Sequence, residues 1–263
     1  MWMQLNQGGS HTMNIVTEIK EWKLIRQALT QKTMGLVHTM GNLHAGHMSL
    51  CKRSQLENEI TVAAIFINRM QFNQARDFEL YPRTIEQDKA LLAAHKIDYL
   101  LLLDETSVYP DEYSVQVSEH ELSKTLEGEY RPGHFTGMLT VVLKFLNLVQ
   151  PTRAYYGEKD YQQLLLIKKM AEALFLPYEI IGCETIRAED GLALSSRNAR
   201  LSKEQREKAA YFPKFLTSTL NPAQITEQLK ALGLKVDYIV EAWQRRLGAV
   251  WVDDVRLIDN IGI

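Results

Sequence analysis

The chain has 263 residues, of which 46% are hydrophobic and 24% charged. Those proportions exclude an intrinsically disordered chain and are enough for a large core, in one large domain or a main domain with a smaller companion. A formal net charge of −2 gives no global pull toward nucleic acid or an anionic membrane, so neither is expected as a partner.

Residues 1–12 carry a Gly-Gly-Ser-His tract and read as a flexible extension or a cloning remnant, without the apolar core of a secretory signal. Across Thr17–Thr30, Ile19, Trp22, Leu24, Ile25 and Leu29 recur at helical spacing. Met34–Thr39 reads as a short buried strand, Ala45–Asn58 as a helix, and "ITVAAIFIN" (Ile60–Asn68) as a strand covered on both faces. Ile85–Lys96 is the next helix and Asp98–Leu103 the next strand. After a looser middle come a buried helix over Phe135–Val149, a strand at Arg153–Gly157, a helix at Asp160–Leu174 and a strand at Tyr178–Cys183, with Pro151 and Pro177 at the joints.

This alternation predicts an α/β fold: a Rossmann-like open parallel sheet with helices on both faces, over residues 13–187. Beyond Arg200 the texture changes. Lys203–Leu216 and Ala223–Leu232 read as polar amphipathic helices, with "VDYIVEAW" and "AVWVDDVRLIDN" as two strand candidates. Residues 188–263 are expected to form a mobile phosphate loop and a small α+β lid domain. No apolar run approaches the ~20 residues needed to span a bilayer. Cys51 and Cys183 are too few for a disulfide framework, so a reducing, cytoplasmic compartment is expected.

Four stretches could carry chemistry. In "TMGNLHAGHMSL" (Thr39–Leu50) a strand delivers Met40 and Gly41 to the sheet edge where ligands bind in open α/β folds. A helix starting near Ala45 or Gly46 points free N–H groups and its dipole at that edge, and His44 and His47 add ring donors. The arrangement suits a nucleotide triphosphate, though H-x-G-H alone fits a helix cap as well. Zinc would need further ligands, and no cluster completes the site.

Asn68 and Gln71 in "FINRMQFN" lie beyond a strand at the same edge and suit a small polar acid, or an ordinary polar turn. In "YYGEKDYQQL", Gly157 ends a strand; Lys159 can pair with phosphate and Asp160 with ribose hydroxyls, while Gln163 lies one turn on. Ser195, Ser196 and Arg197 in "GLALSSRN" suit a loop closing on polyphosphate, or a plain hydrophilic loop. The absence of a Walker A sequence and of G-x-G-x-x-G weakens P-loop and dehydrogenase readings.

Together, "TMGNLHAGHMSL", "MQF…YPRT", "RPGHFTGMLTVVLKFLNLVQP", "GEKDYQQLLLIKKM" and "DGLALSSRN" resemble the pantoate–β-alanine ligases, or pantothenate synthetases, of the HxGH nucleotidyltransferase superfamily. The likeness runs from about Met13 to Asn260. It implies ATP-dependent condensation of pantoate with β-alanine through a pantoyl adenylate, releasing AMP and pyrophosphate, with Mg2+ offsetting the triphosphate charge. A homodimer is also implied. No metal ligand is assignable from the sequence.

By motif matching, Met40, Gly41, Asn42, Leu43, His44, Ala45, Gly46 and His47 would belong to the ATP site. Gly157, Glu158, Lys159 and Asp160 would hold ribose and phosphate. Leu194, Ser195, Ser196 and Arg197 would close over the phosphates, and Ile186 would offer its backbone to adenine. Gln71 and Gln163, with Asn68 nearby, would hold pantoate; Arg131 and His134 would line the same cavity. His47, His44 and Lys159 are the expected catalytic residues. His38 and Arg69 stand where the family pattern has proline, which should loosen two loops, and the region after Arg200 reads as shortened. A cytidylyltransferase, or a non-catalytic nucleotide-binding protein, is the competing reading.

Overall fold

The computed structural model describes residues 11–73 and 75–263, so most of the expected N-terminal extension lies outside the described residues. Six strands form a parallel sheet: β1 (Asn14–Val16), β2 (Met34–Thr39), β3 (Ile60–Ile65), β4 (Tyr99–Leu101), β5 (Arg153–Gly157) and β6 (Glu179–Cys183). Their order is β1-β4-β3-β2-β5-β6. The helices of this part are α1 (Ile19–Ala28), α2 (Ala45–Glu57), α3 (Ala75–Glu79), α4 (Ile85–Ala94), α5 (Glu105–Val108), α6 (Glu127–Tyr130), α7 (His134–Val149) and α8 (Tyr161–Ala173).

Strand side chains alternate between two cores, as the pleat requires. Met34 and Leu36 of β2 join Ala154 and Tyr156 of β5 under α1, α7 and α8. Val37 and Tyr155 point the other way, to Met48, Leu50 and Cys51 of α2 and Leu92 of α4. Both faces are covered, which is why these strands read as continuous apolar runs. The chain runs from β2 through β3 and β4 to one side, then returns to β5 and β6 on the other. The carboxyl ends of β2 and β5 therefore flank a topological switch point, where open α/β sheets bind ligands.

The C-terminal part has its own core. Helices α9 (Lys203–Ala209), α10 (Tyr211–Leu216) and α11 (Pro222–Ala231) pack on the antiparallel sheet β7 (Lys235–Ala242), β8 (Arg245–Val252) and β9 (Val255–Gly262), burying Phe212, Leu216, Ile225, Leu229 and Val250. The helix expected over Lys203–Leu216 is two helices. Pro213 lacks the N–H that would reach the Ala209 carbonyl, and the break falls between them. The two expected strands are three. "AVWVDDVRLIDN" spans the end of β8, a turn with Asp253 at φ +52° and most of β9. Strand β1 leaves no signal in the sequence: at three residues it is too short for a period to register. No described helix is long and apolar enough to cross a membrane.

Candidate active site

The loop after β2 is bent by Gly41 (φ +80°) and Asn42 (φ +50°). A Cβ at Gly41 would lie 3.0 Å from the carboxylate of Asp88, so glycine serves both the turn and the close approach. Asp88 is buried in α4 and accepts from the N–H groups of Asn42 (2.9 Å) and Leu43 (2.8 Å) and from the Thr84 hydroxyl (3.2 Å). That carboxylate clamps the loop that aims α2.

His44 is the N-cap of α2, and its Nδ1 accepts from the Gly46 N–H at 3.2 Å. The His47 Nδ1 accepts from the His44 N–H at 3.3 Å. The two rings lie 4.1 Å apart between centroids. A backbone N–H can only donate, so each Nδ1 is the unprotonated nitrogen and each Nε2 carries the hydrogen. Burial, the neighbouring His44 and the Lys159 ammonium push His47 down to about 3. Burial and then Lys159 lower His44, against a smaller opposing effect of Asp160. At neutral pH the pair is two uncharged N–H donors at a helix amino end.

These rings open into a cavity of about 220 Å³ at the ends of β2 and β5. Of the expected site residues, Met40, Gly46, Gln71, Gly157, Lys159, Asp160 and Gln163 border it with His44 and His47. Arg131, His134, Ile186, Leu194, Ser195, Ser196 and Arg197 complete that set. The others do not border it. Gly41, Asn42 and Leu43 form the clamped turn, Ala45 opens α2, and the Glu158 carboxylate pairs with Arg245. Asn68 is buried beneath the wall: its amide donates to the Gly137 carbonyl (2.9 Å) and the Gln71 Oε1 (3.3 Å), and its oxygen accepts from the Tyr109 hydroxyl (2.9 Å). It positions Gln71 instead of facing the cavity. Gly137 lets α7 approach this turn; a Cβ there would fall 2.5 Å from the Met70 backbone.

His134 donates from Nδ1 to the Gln71 carbonyl (2.9 Å), so its Nε2 is a bare acceptor. Burial and then the Arg131 charge push it down to about 3. Arg131 is itself pulled down to about 10 by burial and then by Arg197. Its ion pair with Glu127 is long, at 3.7 Å, because Arg256 takes that carboxylate bidentately at 2.7 Å.

The C-terminal part reaches into the site through residues that sequence reasoning missed. Asn260 donates to the carbonyls of Glu158 and Lys159, both at 2.9 Å. Arg245 lies over the Tyr161 ring at 4.2 Å. Arg187 grips Asp259 with two bonds of 2.6 and 2.9 Å, tying the segment before Leu194 to β9. Asp77 meets Arg197 at 3.3 Å and Arg200 at 3.8 Å. A second cavity of about 280 Å³, between the C-terminal part and the helices and loops of the main part, shares Arg131, Lys159, Asp160, Ser195 and Arg197 with the first.

The chain matches the family model for pantoate-beta-alanine ligase over residues 11–262. It is 48% identical over 249 residues to a pantothenate synthetase of Legionella pneumophila (strain Corby), covering 94% of this chain and 99% of that one. It is 49% identical over 247 residues to a pantothenate synthetase of Coxiella burnetii (strain Dugway 5J108-111), covering 94% and 96%. Both alignments run over nearly the whole of each chain. The fold matches a pantoate-beta-alanine ligase of Francisella tularensis, complexed with beta-gamma ATP and beta-alanine, with a TM-score of 0.92 at 40% identity over 95% of this chain and 98% of that one. With the motif, the switch-point cavity and near full-length similarity in agreement, the chain belongs to the pantoate–β-alanine ligase family.

Proposed function

We propose how the residues of the β2/β5 cavity carry the family's reaction, the ATP-dependent condensation of pantoate with β-alanine. The observation that carries this reading is the pair of imidazoles whose Nδ1 atoms are occupied by backbone N–H groups, leaving two Nε2–H donors beside Lys159. ATP lies with its triphosphate across the amino end of α2. The pantoate carboxylate attacks the α-phosphorus, the bond to the β-phosphate oxygen breaks, and pyrophosphate leaves. No proton moves in this step, since one anion displaces another. His44 and His47 therefore act as hydrogen-bond donors to phosphoryl oxygens whose charge grows in the transition state. Lys159 adds a point charge, and Ser196 and Arg197 cover the tail.

Gln71 and Gln163 hold pantoate, with Arg131 and His134 further along the wall. The adenylate makes the acyl carbon reactive, because AMP leaves far more readily than oxide. The free amine of β-alanine then forms the amide bond, the bond from acyl carbon to phosphate oxygen breaks, and the amine proton passes to solvent.

Among the described residues no three His, Cys, Asp or Glu side chains cluster to cage a metal. Carboxylates at the cavity are Asp160 and Glu184. That donor set suits Mg2+ carried on phosphate oxygens and water, with Asp160 as a protein ligand. Bound there, it would offset triphosphate charge. A cytoplasmic homodimer, with residues 188–263 acting as phosphate loop and lid over residues 13–187, completes the reading.

Pantoate-dependent exchange of labelled pyrophosphate into ATP tests it. Exchange is expected with the wild type and should fall steeply in His47→Ala and Lys159→Ala. Exchange with CTP in place of ATP, or none from folded protein, would overturn it.

A further inference from the structure

Two polar atoms at the floor of the acid pocket have no partner. The His38 Nε2 and the Tyr156 hydroxyl are both closed off from solvent and, among the described residues, hydrogen-bonded to nothing. Both side chains border the 220 Å³ cavity. The last recorded pair of the parallel strands β2 and β5 is Leu36 opposite Ala154, and His38 and Tyr156 each follow two residues on, on the same faces of their strands as that pair. The His38 ring is stacked on Phe145 at 4.3 Å and 23°, which fixes its plane. Around them the floor is apolar, with Met138, Val141 and Val142.

Burying an unpaired imidazole nitrogen and an unpaired phenol is costly, and native cores almost always satisfy such groups. Two orphans bordering one substrate cavity call for a ligand that completes them. Burial holds His38 down to about 4 and raises the Tyr156 phenol, so both are neutral near pH 7. A neutral imidazole nitrogen and a phenol can divide the work, one accepting and one donating. A single alcohol, which does both, matches them.

We propose that His38 and Tyr156 bind the terminal hydroxyl of pantoate and so make this chain selective for a γ-hydroxylated acid; the inference rests on the reaction proposed above. Pantoate's carboxylate must face the phosphorus beside His44, His47 and Lys159. Its 2-hydroxyl is adjacent to that carboxylate, whereas the 4-hydroxyl is at the other end of the four-carbon chain and reaches the floor. The two methyl groups then lie against Met138, Val141 and Val142. Met40 and Met138 border the same cavity, and their unbranched thioethers can adapt to an occupant without moving backbone.

The test uses the full chain, with Tyr156→Phe and His38→Phe, and two acids: pantoate and 2-hydroxy-3,3-dimethylbutanoate, which lacks the 4-hydroxyl. Pyrophosphate exchange gives KM for each acid and for ATP; thermal melting without ligand gives stability. The wild type should prefer pantoate by about tenfold or more in kcat/KM. Each variant should raise the pantoate KM about 3- to 10-fold and erase most of the preference. The KM for ATP and for the deoxy acid should stay unchanged, and Tm should hold or rise, because an orphaned polar group has been removed. A preference that survives both substitutions, or a wild type without one, would overturn the proposal. So would a lower Tm with both acids and ATP weakened alike, which would make the pair a structural element. Wild-type protein with no pantoate-dependent exchange would instead remove the reaction itself.

Discussion

The His44 amide donates to the His47 Nδ1 at 3.3 Å, and that one bond decides which face of the His47 imidazole meets the ligand. Because Nδ1 is the acceptor, Nε2 is a fixed donor, and burial with the His44 and Lys159 neighbours keeps the ring near a pKa of about 3. His47→Ala should lower the exchange rate by about 10²- to 10³-fold, as for other donors to developing oxyanions. His47→Gln, which keeps an N–H, should recover part of that loss. The rate of the first step should show no His47 titration between about pH 6 and 8. A basic limb with His47→Ala alone abolishing it would contradict the donor role.

Imidazoles held below their unfolded pKa make the fold acid-sensitive. Burial pushes His38 to about 4 and His134 and His47 to about 3, from 6.5 in the unfolded chain. The unfolded state therefore takes up protons first as pH falls. The corresponding stability is fully present above about pH 6.5 and is lost on acidification toward the folded values, by at most ~1.4 kcal/mol per pH unit per group. His134, buried at 5% exposure, should count most. Tm should drop between about pH 7 and 5, and His134→Gln should flatten that drop even if it lowers Tm at pH 7.

What was legible in the sequence was what is local. The H-x-G-H stretch binds through adjacent backbone groups and a helix start, so its chemistry is contiguous, and β2 and β5 were delimited by their apolar runs. What was hidden is what folds back. Asp88, Asn260, Arg245 and the Arg187–Asp259 pair are ordinary polar residues, and only the tertiary path brings them to the loops they hold. The β7–β8 hairpin turns on Trp243 (φ +54°) and Gln244 (φ +58°). Such turns usually announce themselves with Asn or Gly, and neither is there. Asn68 ends an expected strand at the ligand-binding edge, but its carboxamide is consumed by Gly137, Gln71 and Tyr109.

Asp88 accepts two backbone N–H groups of the phosphate-side loop, and an amide can accept with only one atom. Asp88→Asn should leave one buried N–H facing an NH2 group, at a cost of about 1–3 kcal/mol. The expected result is a lower Tm and an ATP KM raised by tenfold or more, with the pantoate KM less affected. Equal effects on both substrates would mean that the clamp does not act through the ATP loop.

Arg69 opens the short turn that presents Gln71, after Asn68 at φ −82° and ψ +105°, a conformation that a following proline tolerates. Arg69→Pro should stabilise by about 0.4–1 kcal/mol through the unfolded state, less whatever the Arg69 contact with Phe78 at 5.5 Å contributes. Pantoate affinity should tighten modestly. Equilibrium denaturation and the exchange KM check both; a destabilised variant would show that the turn needs the Arg69 side chain.

Asn260 sits at 2% exposure on β9 and holds the Glu158 and Lys159 carbonyls with one carboxamide. The Lys159 ammonium is thus aimed by a residue about a hundred positions away. Asn260→Ala leaves both carbonyls without that donor, so a loss of about 1–3 kcal/mol is expected. If the bond serves aim as well as stability, the exchange rate at saturating substrate should fall even where the variant is fully folded. Asn260→Asp, which cannot donate and adds a charge, should be worse than alanine. Unaltered turnover from folded Asn260→Ala would confine Asn260 to stability and leave Lys159 positioned by its own turn.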